Sequence, residues 1–415
     1  MKEVEKYGLL GAHLSYSFSP EIHKQFANYK YELFERKESE IEDFLKNEKL
    51  KAINVTIPYK QTVMKYCDYI SDIAKRIGAV NVIKFENGKL YADNTDYYGV
   101  KYMLSKGNID VKNKIVAILG DGATSQTVKV VLKDLGAKKI LNISRKGSIK
   151  FFELEKYDFV EIIINCTPVG MYPREPISLV NLKDLKKIEA VADVVYNPSR
   201  TKLILQAEEM ELKAINGLPM LVGQAKKAVE IFLDIFIEDK KLEKVYKKIY
   251  KSTQNIVLIG MPGSGKSSIG EKIAKKLKRK FVDIDKEIEK YTNMKIPKIF
   301  KKHGEKHFRE IEKKLTKEIS KETGIVISTG GGIVLDKENY EPLKQNGYIV
   351  LIDRDLKKLS TKGRPLSQGG LEKLEEIKRE RESKYEAFSD VKVKNIYLPK
   401  TVNKIMEIFN ENSCN

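Results

Sequence analysis

Short apolar runs recur along the chain, and several of them end in glycine and precede a segment with helical periodicity. The two clearest are KIVAILGDG at residues 114–122 and NIVLIGMPGSGKS at residues 255–267. Further runs predict buried strands at residues 161–165, 190–195, 324–329 and 348–353. Strands that alternate with helices are typical of α/β proteins with parallel, doubly wound sheets. The pattern therefore predicts an α/β fold in which each glycine turn connects a strand to a helix.

The segment between the two glycine turns is strongly polar. Residues 236–254, FIEDKKLEKVYKKIYKSTQ, contain neither glycine nor proline and lead directly into a new strand. We interpret them as a helix end followed by a linker, with the main domain boundary near residue 250. A chain of 415 residues has room for two to four domains of about 100–200 residues each.

The composition is that of a packed protein, with 41% hydrophobic and 33% charged residues. The 77 Lys and Arg residues exceed the 58 Asp and Glu residues, which gives a net charge of +19. The lysines are spread over the whole chain without a basic block that alternates with aromatic residues, so nucleic acid is not the predicted partner. No uncharged apolar stretch approaches the ~20 residues of a membrane span, and the N-terminus lacks the apolar core of a secretory signal. We therefore expect a cytoplasmic protein without a membrane partner.

Cysteine and histidine chemistry changes this picture little. Cys67, Cys166 and Cys414 are too few and too scattered for a disulfide framework or a zinc site. His303 and His307 lie four residues apart, but the sequence offers no evident third ligand for a metal. We interpret both histidines as surface or substrate-edge residues.

The second glycine turn carries a specific signal for a nucleotide. Residues 260–267, GMPGSGKS, fit the pattern GxxxxGK[ST], in which backbone N–H groups surround phosphate oxygens at the start of a helix. Lys266 is expected to reach the terminal phosphates of ATP, and Ser267 to supply an oxygen to Mg²⁺. The predicted ATP-binding residues of this loop are Gly263, Ser264, Gly265, Lys266, Ser267 and Ser268.

Other features downstream suit a small-molecule kinase. Asp283 and Asp285 end the predicted strand FVDID, where alternation places both carboxylates on one face. The same pattern would also be produced by two solvent-exposed acids at the end of a strand. A triple glycine, GGG, follows the strand IVIST, either as bare backbone near a ligand or as a flexible turn. Arginines stand out among the lysines and suit bidentate binding of carboxylate or phosphate, although each alone could be a surface residue. They are Arg309, Arg364 and Arg381.

These motifs occur in the order phosphate loop, DxD, FRxxE, GGG, RPL and RxxxY. In this order they resemble shikimate kinase over about residues 255–415. The resemblance implies that Asp285 polarises the 3-hydroxyl of shikimate. It implies that Arg309 and Arg381 bind the carboxylate, and that the backbone of Gly331 and Gly332 lines the ring. By the same resemblance Asp283 joins Ser267 at Mg²⁺, and Arg364, on a closing lid, contacts ATP and the transferred phosphoryl group. The catalytic residues of this half would be Lys266, Asp285 and Arg364.

The first glycine turn, residues 120–125, is a weaker signal, since it could be an ordinary strand–helix turn. The next predicted strand, KILNI, ends in Ser144-Arg145-Lys146. A carboxylate at this place would hold the ribose 2′-hydroxyl of NAD, whereas the two cations suit the 2′-phosphate of NADP. The turn and these residues therefore predict NADP as the cofactor.

Two further pairs of residues suit carbonyl chemistry. Lys60, in NVTIPYK, and Asp96, in DNTD, would form a sensible proton-transfer pair, but spacing alone does not bring them together and either could be a surface charge. Ser17 and Ser19 place two hydroxyls on one face if the segment is extended, whereas Ser19 followed by proline also suits a helix cap.

Together with GAVN, NCTPVGMYP and GLPMLVGQA, these segments resemble shikimate dehydrogenase over about residues 5–235. The resemblance implies that Ser17 and Ser19 bind the substrate carboxylate and that Lys60 and Asp96 are catalytic. The ring hydroxyls would be held by Thr56, Asn81, Asp96 and Gln224, with Tyr196 nearby. The implied NADP-binding residues are Gly120, Gly122, Ala123, Thr124, Ser144, Arg145 and Gly217. Residues 145–165 are short for the family's usual helix, strand and loop, which predicts a trimmed nucleotide domain.

The two resemblances predict a fusion of two α/β enzymes. The expected domains are a substrate domain (1–104 and 216–238), a Rossmann-type NADP domain (105–215), a linker (239–254) and a P-loop kinase domain with a parallel sheet (255–415). The expected function is NADPH-dependent reduction of 3-dehydroshikimate to shikimate, followed by its phosphorylation with MgATP. The alternatives are a quinate-acting dehydrogenase fused to another small-metabolite kinase, and a regulatory or nucleic-acid-binding protein with degenerate catalytic halves. The oligomeric state is left open, with a homodimer as one option.

Overall fold

The computed structural model describes residues 6–14, 18–47, 49–173, 177–359 and 370–412. The chain divides into two compact units. The first unit consists of Met1–Tyr196 and Thr201–Ile249, and the second unit of Asn197–Arg200 and Tyr250–Asn415. None of the helices among the described residues has the length and hydropathy needed to cross a membrane.

The first unit begins with a mixed six-stranded sheet in the order β2-β1-β3-β5-β6-β4. Its strands are β1 (Lys6–Gly11), β2 (Tyr31–Glu35), β3 (Leu50–Val55), β4 (Tyr69–Ile70), β5 (Val82–Glu86) and β6 (Lys89–Asp93). Its helices are α1 (Ser19–Phe26), α2 (Ile41–Asn47), α3 (Asp72–Ile77) and α4 (Asp96–Lys106), with 3-10 turns at Glu38–Glu40 and Thr62–Tyr66. Strands β5 and β6 run antiparallel through a turn at Asn87 and Gly88, which both have positive φ, as a tight hairpin requires.

The first unit continues with a parallel five-stranded sheet in the order β11-β10-β9-β7-β8. Its strands are β7 (Ile115–Leu119), β8 (Lys139–Ile143), β9 (Ile162–Asn165), β10 (Ala190–Asp193) and β11 (Lys213–Ile215). The helices are α5 (Ala123–Asp134), α6 (Lys202–Glu209), α7 (Leu218–Leu233) and α8 (Asp239–Thr253), and the last four residues of α8 belong to the second unit. There are 3-10 helices at Phe151–Tyr157 and Leu182–Asp184. The strand order reverses between β7 and β9, the position at which parallel sheets bind nucleotides.

The second unit contains a parallel five-stranded sheet in the order β13-β14-β12-β15-β16. Its strands are β12 (Asn255–Ile259), β13 (Phe281–Asp283), β14 (Val326–Ser328), β15 (Gly347–Asp353) and β16 (Val391–Lys394). The helices are α9 (Lys266–Leu277), α10 (Ile284–Thr292), α11 (Ile296–Ile319), α12 (Tyr340–Asn346), α13 (Gly370–Phe388) and α14 (Leu398–Asn412). The 3-10 turns lie at Ile333–Leu335, Lys337–Asn339 and Leu356–Lys358. Apolar residues on both faces of the sheet are buried, so the strands read as continuous apolar runs.

Two local expectations were wrong. The segment expected to end as a linker is the helix α8, because Leu242, Val245 and Ile249 recur at helical spacing and bury one face. Only Gln254 separates α8 from β12, and its side chain is buried. The expected strand FVDID stops at Asp283, which caps α10 by accepting a hydrogen bond from the backbone N–H of Lys286 at 3.3 Å.

Candidate functional sites

The sheet of β1–β6 brings together the predicted proton-transfer pair. Lys60 lies in the turn after β3, and Asp96 is the first residue of α4. The Lys60 Nζ atom lies 2.6 Å from Asp96 Oδ2, and both side chains are at least four-fifths buried. The backbone carbonyl of Lys60 accepts a hydrogen bond from the N–H of Val80 at 2.9 Å, which fixes the turn. The pairing that spacing could not establish is therefore present.

Asparagine side chains hold Asp96 in place. Asn81 Nδ2 donates to Asp96 Oδ1 at 2.9 Å, while Asn81 Oδ1 accepts from the backbone N–H of Thr95 at 2.6 Å. Asn94 Oδ1 accepts from the backbone N–H of Asp96 at 3.1 Å. The hydroxyl of Thr95 lies 3.4 Å from Gln224 Oε1, which connects α7 to this network. Asn94 and Thr95 were not among the predicted site residues, although both belong to the quoted DNTD segment.

Ser19 does not cap a helix, which corrects one of the two interpretations of this residue. The N-cap of α1 is Phe18, and Ser19 is the first helical residue. The Ser19 hydroxyl forms a hydrogen bond with Tyr31, whose own hydroxyl donates to Asn54 Oδ1 at 2.8 Å. Ser17, the other predicted carboxylate ligand, lies outside the described residues.

The remaining predicted substrate residues lie around the same sheet edge and helix α1. Thr56 follows β3 directly, and its backbone N–H donates to the carbonyl of Leu10 at 2.9 Å. The ring of Tyr196 packs edge-on against Phe18, with the ring centres 5.8 Å apart. Burial raises the pKa of Tyr196, so this phenol stays neutral near pH 7.

A buried histidine lies beneath this region. The ring of His23 is 4.1 Å from that of Tyr31, and its Nδ1 lies 2.6 Å from the hydroxyl of Tyr29. Burial lowers the pKa of His23 from 6.5 to about 3. The folded protein therefore keeps the imidazole neutral, whereas the unfolded chain takes up a proton below pH 6.5. It follows that stability is present above pH 6.5 and is lost as the pH falls toward 3.

We expect His23→Gln to reduce this sensitivity to acid. Between pH 8 and pH 5, protonation of His23 in the unfolded chain should cost the wild type about 2 kcal/mol more than the variant. Urea denaturation of both proteins at the two pH values measures the difference. The same loss of stability in both proteins would show that His23 is not the titrating group.

The first glycine turn lies where the order of the parallel sheet reverses. Gly120 follows β7 with φ of 115°, a conformation that favours glycine, and Gly122 precedes the twelve-residue helix α5. The first two residues of α5, Ala123 and Thr124, are half-buried. The N-terminus of α5 and the backbone of this turn are therefore available for an anion such as a dinucleotide pyrophosphate. Gly217, at the start of α7, leaves no room for a side chain beside the Val194 carbonyl.

The loop after β8 presents two cations at the same sheet edge. Arg145 and Lys146 are exposed, and β8 pairs with β7 up to Ile143 and Leu119. Ser144 is buried, and its hydroxyl accepts the backbone N–H of Gly147 at 2.8 Å. The role of Ser144 visible in the structure is thus to shape this loop.

The phosphate loop of the second unit has the expected backbone. Gly260, Gly263 and Gly265 all have positive φ, which lets the chain curl between β12 and α9. Lys266 is buried, and its Nζ donates to the carbonyls of Gly260 and Met261 at 2.9 and 3.0 Å. The three predicted serines lie close to Lys266 in the sequence: Ser264 is buried in the loop, Ser267 is half-buried, and Ser268 is exposed on α9.

The magnesium candidates lie at neighbouring positions. Ser267 Oγ is 3.3 Å from Ser328 Oγ, and Ser328 is the register partner of Asp283 across β13 and β14. Magnesium is commonly held by one or two protein oxygens together with substrate phosphates, so a hydroxyl and a carboxylate beside a phosphate loop fit this ion.

The triple glycine gathers the predicted acceptor residues. A Cβ atom on Gly330 would lie 2.7 Å from Asp285 Oδ1, and one on Gly331 would lie 2.6 Å from Pro262 of the phosphate loop. The Gly331 carbonyl accepts from Arg381 Nη1 at 3.0 Å and also from the hydroxyl of Tyr385. The guanidinium of Arg309 packs so closely on Gly332 that no Cβ would fit there. Glycine is therefore needed at these three positions, because α10, α11, α13 and the phosphate loop all pack against their backbone.

Asp285 has an acidic neighbour that was not among the predicted site residues. Glu312 is fully buried, and its Oε2 accepts from Arg309 Nη1 at 2.6 Å. Its other oxygen, Oε1, would lie 2.9 Å from a Cβ on Gly330, beside Asp285. Burial, with a smaller contribution from the charge of Asp285, raises the pKa of Glu312 to about 7 against the lowering effect of Arg309. The FRxxE pattern contained this residue, but only the fold places it beside Asp285.

Two predicted features gain no role from this geometry. Arg364 lies outside the described residues. His303 and His307 lie on α11 with ring centres 5.0 Å apart, and no group of three or more His, Cys, Asp and Glu side chains suited to a metal occurs in the described part of the chain.

Comparisons with known proteins identify both parts of the chain. Residues 9–83 match the family model "Shikimate dehydrogenase substrate binding domain", and residues 262–410 match the family model "Shikimate kinase". The shikimate dehydrogenase (NADP(+)) of Clostridium beijerinckii is 39% identical in an alignment of 262 positions that covers 59% of this chain and 97% of that protein.

Solved structures match the same N-terminal part. A chorismate mutase/shikimate 5-dehydrogenase fusion protein from Clostridium acetobutylicum is 38% identical with a TM-score of 0.57, covering 60% of this chain and 97% of its own. A shikimate 5-dehydrogenase from Listeria monocytogenes, in complex with shikimate and NAD, is 27% identical with a TM-score of 0.53, covering 59% and 97%. The chain therefore belongs to the shikimate dehydrogenase family and carries a shikimate kinase domain in its C-terminal part.

Proposed function

We propose that this chain is a bifunctional enzyme that catalyses two consecutive reactions. The first unit reduces 3-dehydroshikimate to shikimate with NADPH, and the second unit phosphorylates shikimate with MgATP to shikimate 3-phosphate. The main support for the first activity is the buried ion pair between Lys60 and Asp96 at 2.6 Å. The main support for the second activity is that Asp285, Arg309 and Arg381 all lie against the triple glycine next to the phosphate loop.

In the reduction, NADPH supplies the hydride when it is bound. The Lys60 ammonium holds the carbonyl oxygen and donates the proton that turns it into a hydroxyl. Asp96 orients Lys60 and accepts a hydrogen bond from a ring hydroxyl, while Asn81 keeps the carboxylate in position. Thr56 and Gln224 hold further hydroxyls, and Ser19 binds the substrate carboxylate.

The exposed Arg145 determines which dinucleotide is preferred. A guanidinium at the end of β8 binds the 2′-phosphate of NADP, whereas a carboxylate there would repel it and accept from a free 2′-hydroxyl. We expect Arg145→Asp to lower the NADPH-to-NADH ratio of kcat/KM by about tenfold or more, the size of a lost charged hydrogen bond.

Steady-state kinetics with both cofactors measure this ratio, and Lys138→Asp, a charge reversal before β8 rather than after it, is the matched control. An unchanged ratio in Arg145→Asp would mean that the ribose lies elsewhere.

In the phosphorylation, Asp285 orients the acceptor hydroxyl and draws its proton away as the oxygen attacks the γ-phosphorus of ATP. Arg309 and Arg381 bind the carboxylate of shikimate, and Gly331 and Gly332 leave room for the ring. Lys266 contacts the β- and γ-phosphates. Ser267 and Asp283 would hold Mg²⁺, which neutralises phosphate charge when it is bound.

The test is one assay on the full chain with 3-dehydroshikimate, NADPH, ATP and Mg²⁺. Loss of NADPH absorbance reports the reduction, and ADP formation reports the phosphorylation. The proposal requires that ADP formation depend on prior NADPH consumption when no shikimate is added, and that added shikimate remove this dependence. Quinate in place of shikimate serves as the specificity control. Absence of either signal would reject the corresponding activity.

A further inference from the structure

Arg354 lies at the phosphate loop of the second unit, although neither the sequence motifs nor the proposed chemistry includes it. It is the first residue after β15, and β15 pairs with β12, the strand that leads into the loop. The Arg354 Nη1 atom lies 3.7 Å from the place that a Cβ on Gly265 would occupy. Gly265 directly precedes α9, so the guanidinium lies beside the helix N-terminus.

The charge of this guanidinium is not balanced by a protein carboxylate. Within the described residues Arg354 forms no ion pair, and its buried Nε has no hydrogen-bond partner. The neighbouring Asp355 points elsewhere, since its carboxylate accepts the backbone N–H of Lys357 at 3.0 Å. A half-buried cation beside Lys266 and a positive helix end is unfavourable unless an anion joins them.

The sheet order separates Arg354 from the acceptor site. Strand β12 lies between β14, which leads to the triple glycine, and β15, which leads to Arg354. Asp285, Arg309 and Arg381 all gather on the triple glycine, on the β14 side of the phosphate loop. A residue on the β15 side is therefore suited to act on the nucleotide rather than on shikimate.

We propose that Arg354 is a nucleotide-binding residue that contacts the phosphate chain of ATP from the β15 side of the phosphate loop. The proposal rests on the proposed ATP-dependent activity and adds a residue to it. A guanidinium donates in a planar fork that matches two phosphate oxygens, and such charge-assisted bonds are about twice as strong as neutral ones. Asn395 holds the phosphate loop in position next to Arg354, because its Nδ2 donates to the carbonyl of Ser264 at 2.6 Å.

The experiment measures binding of MgATP and inorganic tripolyphosphate to the full chain by calorimetry, and the KM for shikimate from ADP formation at saturating MgATP without NADP. The variants are Arg354→Gln and the conservative Arg354→Lys, and Lys357→Gln is the control, an exposed cation in the next turn. We expect Arg354→Gln to weaken MgATP and tripolyphosphate equally, by about ten- to a hundredfold. Arg354→Lys should lie between it and the wild type, and Lys357→Gln should bind as the wild type. An unchanged KM for shikimate in ADP formation shows that the second unit of each variant is folded, since shikimate also binds the first unit.

Three results would overturn the proposal. Loss of MgATP affinity with full tripolyphosphate affinity would place Arg354 against the nucleobase. Unchanged affinity for both ligands would mean that the guanidinium contacts neither. A raised KM for shikimate in the ADP assay of Arg354→Gln would assign it a structural role. If the wild type itself binds no MgATP, the proposed kinase activity fails as well, and this outcome differs from all three.

Discussion

Lys60→Ala is expected to lower the turnover of 3-dehydroshikimate reduction by about 10²–10⁴-fold, the usual loss for a positioned acid or base. The buried Asp96 loses its cation in this variant, while its hydrogen bond from Asn81 remains. Phosphorylation of added shikimate should be unchanged, because Lys60 belongs to the first unit and the phosphate loop to the second.

The measurement is NADPH oxidation and ADP formation in separate assays of the same preparation. Lys65→Ala is the matched control, since Lys65 is an exposed lysine five residues further along. Its reduction rate should equal that of the wild type. A Lys60→Ala enzyme that reduces 3-dehydroshikimate at a near-normal rate would disprove the role of Lys60.

Asp285→Asn is expected to lower shikimate phosphorylation by about 10²–10⁴-fold while MgATP still binds. The amide keeps the shape of the side chain but cannot carry the negative charge that draws the proton from the acceptor hydroxyl. Lys266→Ala should differ, because it removes a cation aimed at the phosphates and should weaken nucleotide binding as well as turnover.

The contrast between these variants is the test. Nucleotide affinity and phosphoryl transfer are measured for both, with Glu287→Gln on the same helix as the control for charge. If Asp285→Asn loses as much MgATP affinity as Lys266→Ala, then Asp285 acts through Mg²⁺ or through folding, and its assignment to the acceptor hydroxyl is wrong.

Motifs with local geometry were the most predictable part of this molecule. The glycine turns and their strands follow from residue types that only a few backbone conformations accept, and both turns lie between a strand and a helix as predicted. Asp285 shows the limit of local patterns. Alternation in FVDID suggested a strand, but the capping of α10 by Asp283 places Asp285 in the first helical turn.

Residues whose roles depend on sheet order could not be predicted. Lys60 and Asp96 are 36 positions apart, and only the pairing of β3, β5 and β6 brings them within 2.6 Å. Glu312 meets Asp285 only because a glycine at 330 leaves space for both carboxylates. Arg354 had no motif around it, and its place beside Gly265 follows from the adjacency of β12 and β15.

The short junction between α8 and β12 has a consequence for how the two activities are supplied. Proteases cut exposed, flexible segments, whereas Gln254 is buried, and its carbonyl accepts from Arg279 Nη1 at 2.7 Å. Digestion is thus not favoured at this point, and each polypeptide made by a ribosome brings one copy of each active centre. A cell cannot alter the one-to-one stoichiometry of the two activities through gene expression, so the balance of flux between them is set by the kinetics of each centre.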